Sequence, residues 1–232
     1  MITFIFLANG LQAQDKLKEI CIRFDQFNTA VRDLKIKKTE ARVQFQKLIT
    51  ELKANSIQIQ DNPDWIFPIQ GYNYKAIGGY KGNGYSDKGY SYFDGNKHAA
   101  HPAHDIFIID RNQDCLDDKT HQHVNILAVA DGVVIACCNE WNQASDLRGG
   151  RYIWLYHPKQ NLLTYYAHNR ELFVSPGDVV KKGDKIAEMG RTGFNAFKKR
   201  SPTHLHFSTY QLVNNLPVAY NCYTQLVKTQ SK

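Results

Sequence analysis

The sequence has no CxxC pair, and its five cysteines, Cys21, Cys115, Cys137, Cys138 and Cys222, are an odd number. A thiolate zinc site needs such close pairs, so that chemistry is excluded. In an oxidising compartment one disulfide fits, from Cys115 to Cys137 or Cys138; five unpaired thiols are the alternative. Beyond the first residues no stretch approaches the roughly 20 apolar residues of a membrane helix, which excludes a transmembrane span. No nucleic-acid-binding motif is present. The formal net charge of +7 and pI near 9.1 therefore suit an anionic membrane or cell wall as well as nucleic acid, and do not choose among them. Proline and glycine are absent between Gly10 and Pro63, which excludes turns built on either residue there.

What is present is enough for one ordinary domain with an appendage: 232 residues, with 12 Phe and 13 Tyr as core material. The start, "MITFIFLANGLQAQ", carries an apolar run from Ile2 to Ala8, then small and polar residues. Residues 1–13 read as a secretory signal cut near Ala13, without the usual basic n-region; a buried N-terminal strand is the other reading. Export would place the chain outside the cytoplasm, in a periplasm or secreted.

Residues 14–60 form a helical segment, with a helix over 15–56. Ile20, Phe24, Phe27, Val31, Leu34, Ala41, Phe45, Leu48 and Leu52 follow steps of four and three, a heptad seam interrupted by Lys38. Such a seam serves a coiled coil, joining a second copy or a protein partner, or one long helix lying on the next domain. It holds no candidate ligand, so the helix is expected to be dispensable for chemistry. "DNPDWIFPIQGY" then breaks the chain with two prolines. From residue 65 to 228 short apolar runs alternate with turns: "HDIFIID", "ILAVADGVVIACC", "RYIWLYHP", "LLTYYAH", "KIAEMG" and "HLHFSTYQLV". This is an all-β domain, with Asp131-Gly132 read as a hairpin turn.

Nine histidines are available for chemistry. His121 and His123 have polar neighbours and read as solvated loop. His157, before Pro158 at a strand end, reads as surface. In "HPAHDIFIID", His101 and Asp105 are four apart and share one face of a strand; His98 and His104 have the other parity. Asp105 opens a buried run and needs a partner. His204 and His206 share a face for the same reason. His101, Asp105 and His206 together offer two imidazoles and a carboxylate, a set suited to catalytic zinc with one position open. His204 then lies beside the metal, and His168, ending "TYYAH", is a candidate second acid/base.

The order and spacing of these blocks resemble the lysostaphin-type (LytM-like) zinc endopeptidases, which cut peptides in bacterial peptidoglycan. "FPIQG", "HPAHD", "ILAVADGVV", "GRYIWLYHPKQNLLTYYAHN", "VSPGDVVKKGDKIAEMGRTG" and "THLHF" each match a family element. Ala103, Asn169, Ser201-Pro202-Thr203 and Ser208 depart from it, and 110–124 is a lengthened loop, but no ligand is missing. The resemblance implies an antiparallel, duplicated-hybrid-motif-like β sandwich over 65–228. It implies one Zn2+ per chain on His101, Asp105 and His206, and His168 and His204 as catalytic residues. Its alternative is a non-catalytic relative that activates other cell-wall hydrolases; such relatives have lost ligands.

Overall fold

The structure is a computed structural model that describes residues 2–56, 59, 64–97 and 100–229. His98 lies outside them. The N-terminal segment is two helices, not one: α1 (Ile2–Arg32) and α2 (Lys38–Asn55). Residues 2–13 of the stretch read as an export signal form the first turns of α1, so no strand is present there. The break has a backbone cause. Lys35 N donates to Ala30 O (2.8 Å) and Leu34 N to Val31 O (3.1 Å), with Leu34 at φ 56°. This is the Schellman closure of a helix, made by leucine where glycine is usual. The heptad seam thus folds back on itself: Ile20, Phe24, Phe27, Val31, Ala41, Phe45, Leu48 and Leu52 are buried, while Leu34, at the break, is exposed.

They are buried against the β domain, whose strands are β1 (Ala103–Phe107), β2 (Asn125–Leu127), β3 (Gly132–Cys138), β4 (Arg151–His157), β5 (Leu162–Asn169), β6 (Glu171–Leu172), β7 (Val179–Val180), β8 (Lys185–Glu188), β9 (His204–Val213) and β10 (Leu216–Ala219), followed by α3 (Tyr223–Lys228). The main antiparallel sheet runs β1-β9-β5-β4-β3-β7, with β10 also on β9; β2-β8-β6 form a second sheet. Alternation along the strands splits the core. Tyr152, Trp154, Leu163, Ala167 and Tyr210 face the helical hairpin, while Ile153, Leu155, Tyr166, Leu205 and Phe207 face the small sheet. The molecule is therefore three layers, and the hairpin belongs to the core.

Phe45 shows how tightly. It is fully buried and meets Phe24, Phe27, Tyr92 and Phe93 edge-on at 5.2 to 6.2 Å. Phe45→Ala should lower the stability of the whole chain by about 3–5 kcal/mol. Urea unfolding followed by tryptophan fluorescence checks this; an unmoved midpoint would make the hairpin an independent appendage.

Two local expectations change. Asp131-Gly132 is not a hairpin turn, because β2 pairs with β8 while β3 pairs with β4 and β7. The dipeptide carries the chain between sheets. Asp131 caps the 181–182 turn, accepting from Lys182 N (2.8 Å) and Lys181 Nζ (2.9 Å). A Cβ on Gly132 would sit 2.7 Å from Tyr156 O, so glycine serves close packing. His157 is fully buried, bonded through Nδ1 to Asp131 O and Nε2 to Thr164 Oγ1, both at 2.9 Å. Burial pushes its pKa down to about 4. All five cysteines are free thiols. His121 and His123 are exposed, as the polar neighbours imply.

Candidate metal centre and active site

Strand β9 lies between β1 and β5, and this position assembles the site. Asp105 pairs with His206 across β1–β9, and His206 with Ala167 across β9–β5. His101 enters from the loop before β1, tied by a bridge to Ser86. Ligand atoms of His101, Asp105 and His206 all lie within 4.8 Å of one another. Both His101 Nε2 and His206 Nδ1 stand 3.2 Å from Asp105 Oδ1. Tetrahedral ligands at about 2.0–2.1 Å from zinc are roughly 3.3–3.4 Å apart, so both spacings to Asp105 fit.

The tautomers fit as well. A carbonyl oxygen only accepts, so a ring nitrogen bonded to one carries the proton. His101 Nδ1 donates to Gly84 O (3.1 Å), which leaves its Nε2 lone pair for a metal. His206 Nε2 faces Ser208 Oγ (3.4 Å), leaving Nδ1 on the Asp105 side. Burial opposes ionisation of Asp105, but hydrogen bonds from His101 and His206 outweigh it and hold the carboxyl far below its ordinary value. Burial pushes the His206 pKa down against the pull of Asp105, while the Asp105 hydrogen bond pushes His101 up. An ionised carboxylate and a neutral imidazole are the forms that ligate, so an incoming cation must displace the proton that Asp105 favours on His101.

His168 reaches this face through a β-bulge. Arg151 pairs with Asn169 and Tyr152 with Ala167, so His168 is the extra residue, at φ 71°. In a regular strand it would point away from Ala167's face; the bulge re-aims it. Asn169 holds the bulge by donating to Arg151 O and Tyr166 O, both at 3.0 Å. His168 Nδ1 donates to Thr192 O (2.8 Å), and His204 Nδ1 to Pro202 O (2.7 Å). Each therefore turns its Nε2 away from the carbonyl, and in the neutral ring that atom carries the lone pair. Gly193, at φ 114°, lets that loop approach: a Cβ there would meet His168 Nδ1 at 2.8 Å. The His168 and His204 rings lie 4.8 Å apart, and His168 is 5.6 Å from His206. Burial, then the charge of His204, hold the His168 pKa well below its ordinary value.

All five residues singled out in the sequence thus meet in one place. His104 turns to the other face, where it bonds Asn221 Oδ1 (3.0 Å). Tyr166 is also on the other face; its hydroxyl accepts from Val129 N (3.1 Å), a packing role. The sequence marked Ser208 only as a departure from the family pattern and gave no role to it or to Tyr165, although both share the parity of His206 or its paired strand. It also missed Gly84, Pro202 and Thr192, whose backbone carbonyls carry no signal in residue type. A cleft of about 430 Å³ opens over the cluster.

Residues 111–219 match the family model described as peptidase family M23. That stretch, just under half of the chain, is similar to peptidase family M23. The match includes His168, His204 and His206 and begins after His101 and Asp105, which the fold brings to them. The lysostaphin-type resemblance read from the sequence blocks is borne out at this family level. An uncharacterized metalloprotease of Buchnera aphidicola is 32% identical over 85 residues, 37% of this chain and 19% of its own. A lipoprotein NlpD/LppB homolog of Pseudomonas aeruginosa is 35% identical over 82 residues, 35% of this chain and 24% of its own. The chain thus spans less than a quarter of either relative. A zinc-containing peptidase from Vibrio cholerae is 24% identical with a TM-score of 0.39, covering 67% of this chain and 38% of that one.

Proposed function

We propose that this protein is a zinc-dependent endopeptidase that hydrolyses peptide bonds in bacterial peptidoglycan, acting outside the cytoplasm. The observation that carries the reading is the convergence of His101, Asp105 and His206 with two further imidazoles that present bare Nε2 atoms. His101 Nε2, Asp105 Oδ1 and His206 Nδ1 would hold the metal. Bound there, zinc supplies Lewis-acid polarisation of water and of the scissile carbonyl.

The chain's own residues do the rest. One of His168 and His204 accepts the proton of the attacking water at Nε2 and returns it to the leaving amine. The other, protonated, donates to the developing oxyanion. Thr192 and Pro202 carbonyls fix both rings, so neither turns away during transfer. The net charge of +7 is compatible with an anionic wall polymer, and the apolar N-terminal run favours export. In the rival reading, the protein binds and activates other hydrolases. The complete ligand set favours the enzyme.

Purified peptidoglycan incubated with the zinc-loaded chain should release fragments with new amino termini, read by mass spectrometry. Absence of any cleaved peptide bond would sink the enzyme reading and leave the activator.

A further inference from the structure

The helical hairpin lies on the same sheet face as the metal centre. Register defines a row across that face: Asp105 on β1, His206 on β9, Ala167 on β5, Tyr152 on β4 and Cys138 on β3. Ala167, small and central, leaves open space between the centre and Tyr152. Two strand spacings separate His206 from Tyr152, roughly 10 Å. There α1 stands across the row. Asn28 Nδ2 (3.0 Å) and Arg32 Nη1 (3.2 Å) both donate to Tyr152 Oη, and Tyr92 Oη donates to Asn28 Oδ1 (2.9 Å). Asn28, Val31 and Arg32 line the cleft. Because α1 is welded into the core, this wall is permanent.

The cleft is therefore closed on that side, and about three extended residues fit between the centre and the wall. The wall's chemistry says which chain end stops there. Two donors converge on the Tyr152 oxygen, so its own proton is left for an acceptor from the cleft; no acceptor for it occurs among the described residues. Asp33 clamps the Arg32 guanidinium through Nε (2.7 Å) and Nη2 (3.1 Å), aiming its Nη1 edge at that oxygen. Arg148 also lines the cleft, and Asp105 is the one carboxylate among the described lining residues. A hydroxyl and a guanidinium edge together suit a carboxylate.

Resting on the peptidase reading, we propose that Arg32 and Tyr152 are specificity-determining residues that receive a free C-terminal carboxylate. The substrates are then short peptide tails cut within about three residues of their carboxyl end.

A randomised N-acetylated pentapeptide library, made as free acids, as C-terminal amides and with a six-residue Gly-Ser tail, tests this. Cleavage by the zinc-loaded full chain and retention on immobilised His204→Ala protein are both read by mass spectrometry. Free acids should be favoured about tenfold over either other form, the worth of a charged hydrogen bond. Arg32→Gln and Tyr152→Phe should shrink that ratio towards one. Equal handling of tailed peptides overturns the proposal, as does an unchanged ratio in both variants. Selective retention without cleavage upholds the carboxylate site and sinks the peptidase reading; cleavage without selectivity does the reverse. Neither retention nor cleavage overturns both.

Discussion

Replacing His204 by alanine should leave zinc in place and remove turnover by about 10²-fold or more, the worth of a positioned proton-transfer group. His168→Ala should behave alike. Both rings present Nε2 to the same space, 4.8 Å apart, and neither belongs to the His–Asp–His cluster. The double variant should be little worse than either single one, since groups serving one step act as a unit. Zinc content and hydrolysis rate, measured on each protein, separate binding from chemistry. Near-normal turnover in both single variants would leave the attacking water without a base and refute the roles proposed for them.

The second large effect lies on the metal. His206→Ala and Asp105→Ala should each strip zinc from the purified protein. Asp105 is the hub, because one carboxylate oxygen stands 3.2 Å from both ligating nitrogens. Removing it takes a ligand and the charge that balances the cation. Removing His206 takes a proposed ligand and leaves Asp105 with His101 at 3.2 Å and His204 at 3.8 Å. Outer partners of a ligand are worth about 10- to 100-fold in affinity, so loss of a ligand itself exceeds that. Elemental analysis after dialysis reads the outcome. Full retention by both variants would mean that the metal, if held, sits elsewhere.

Much of this centre was legible because strand parity is a strict rule. Residues two or four apart share a face, so "HLH" and "HPAHD" each announced a pair before any strand was placed. What parity misses is its local violation. His168 lies at a bulge, where a non-glycine residue takes a left-handed backbone, and no residue type signals that. The helix break at Leu34 escaped for the same reason: its closure uses backbone bonds that glycine would have advertised. Asp131-Gly132 misled through its composition, since a turn-forming pair also suits a passage between sheets. His157 looked exposed beside Pro158, yet Asp131 O and Thr164 Oγ1 satisfy both its nitrogens and make burial tolerable.

The place of β9 between β1 and β5 has a consequence for the order of events in the chain's life. The proposed ligands come from residues 101–105 and 206, about a hundred positions apart, and meet only when one of the last strands to be synthesised inserts between earlier ones. Such non-local pairing forms late in folding. A nascent or threaded chain therefore has no complete binding site, and cation uptake must follow closure of the sheet. If the chain crosses a membrane unfolded, it arrives empty and is charged from the metal pool on the far side.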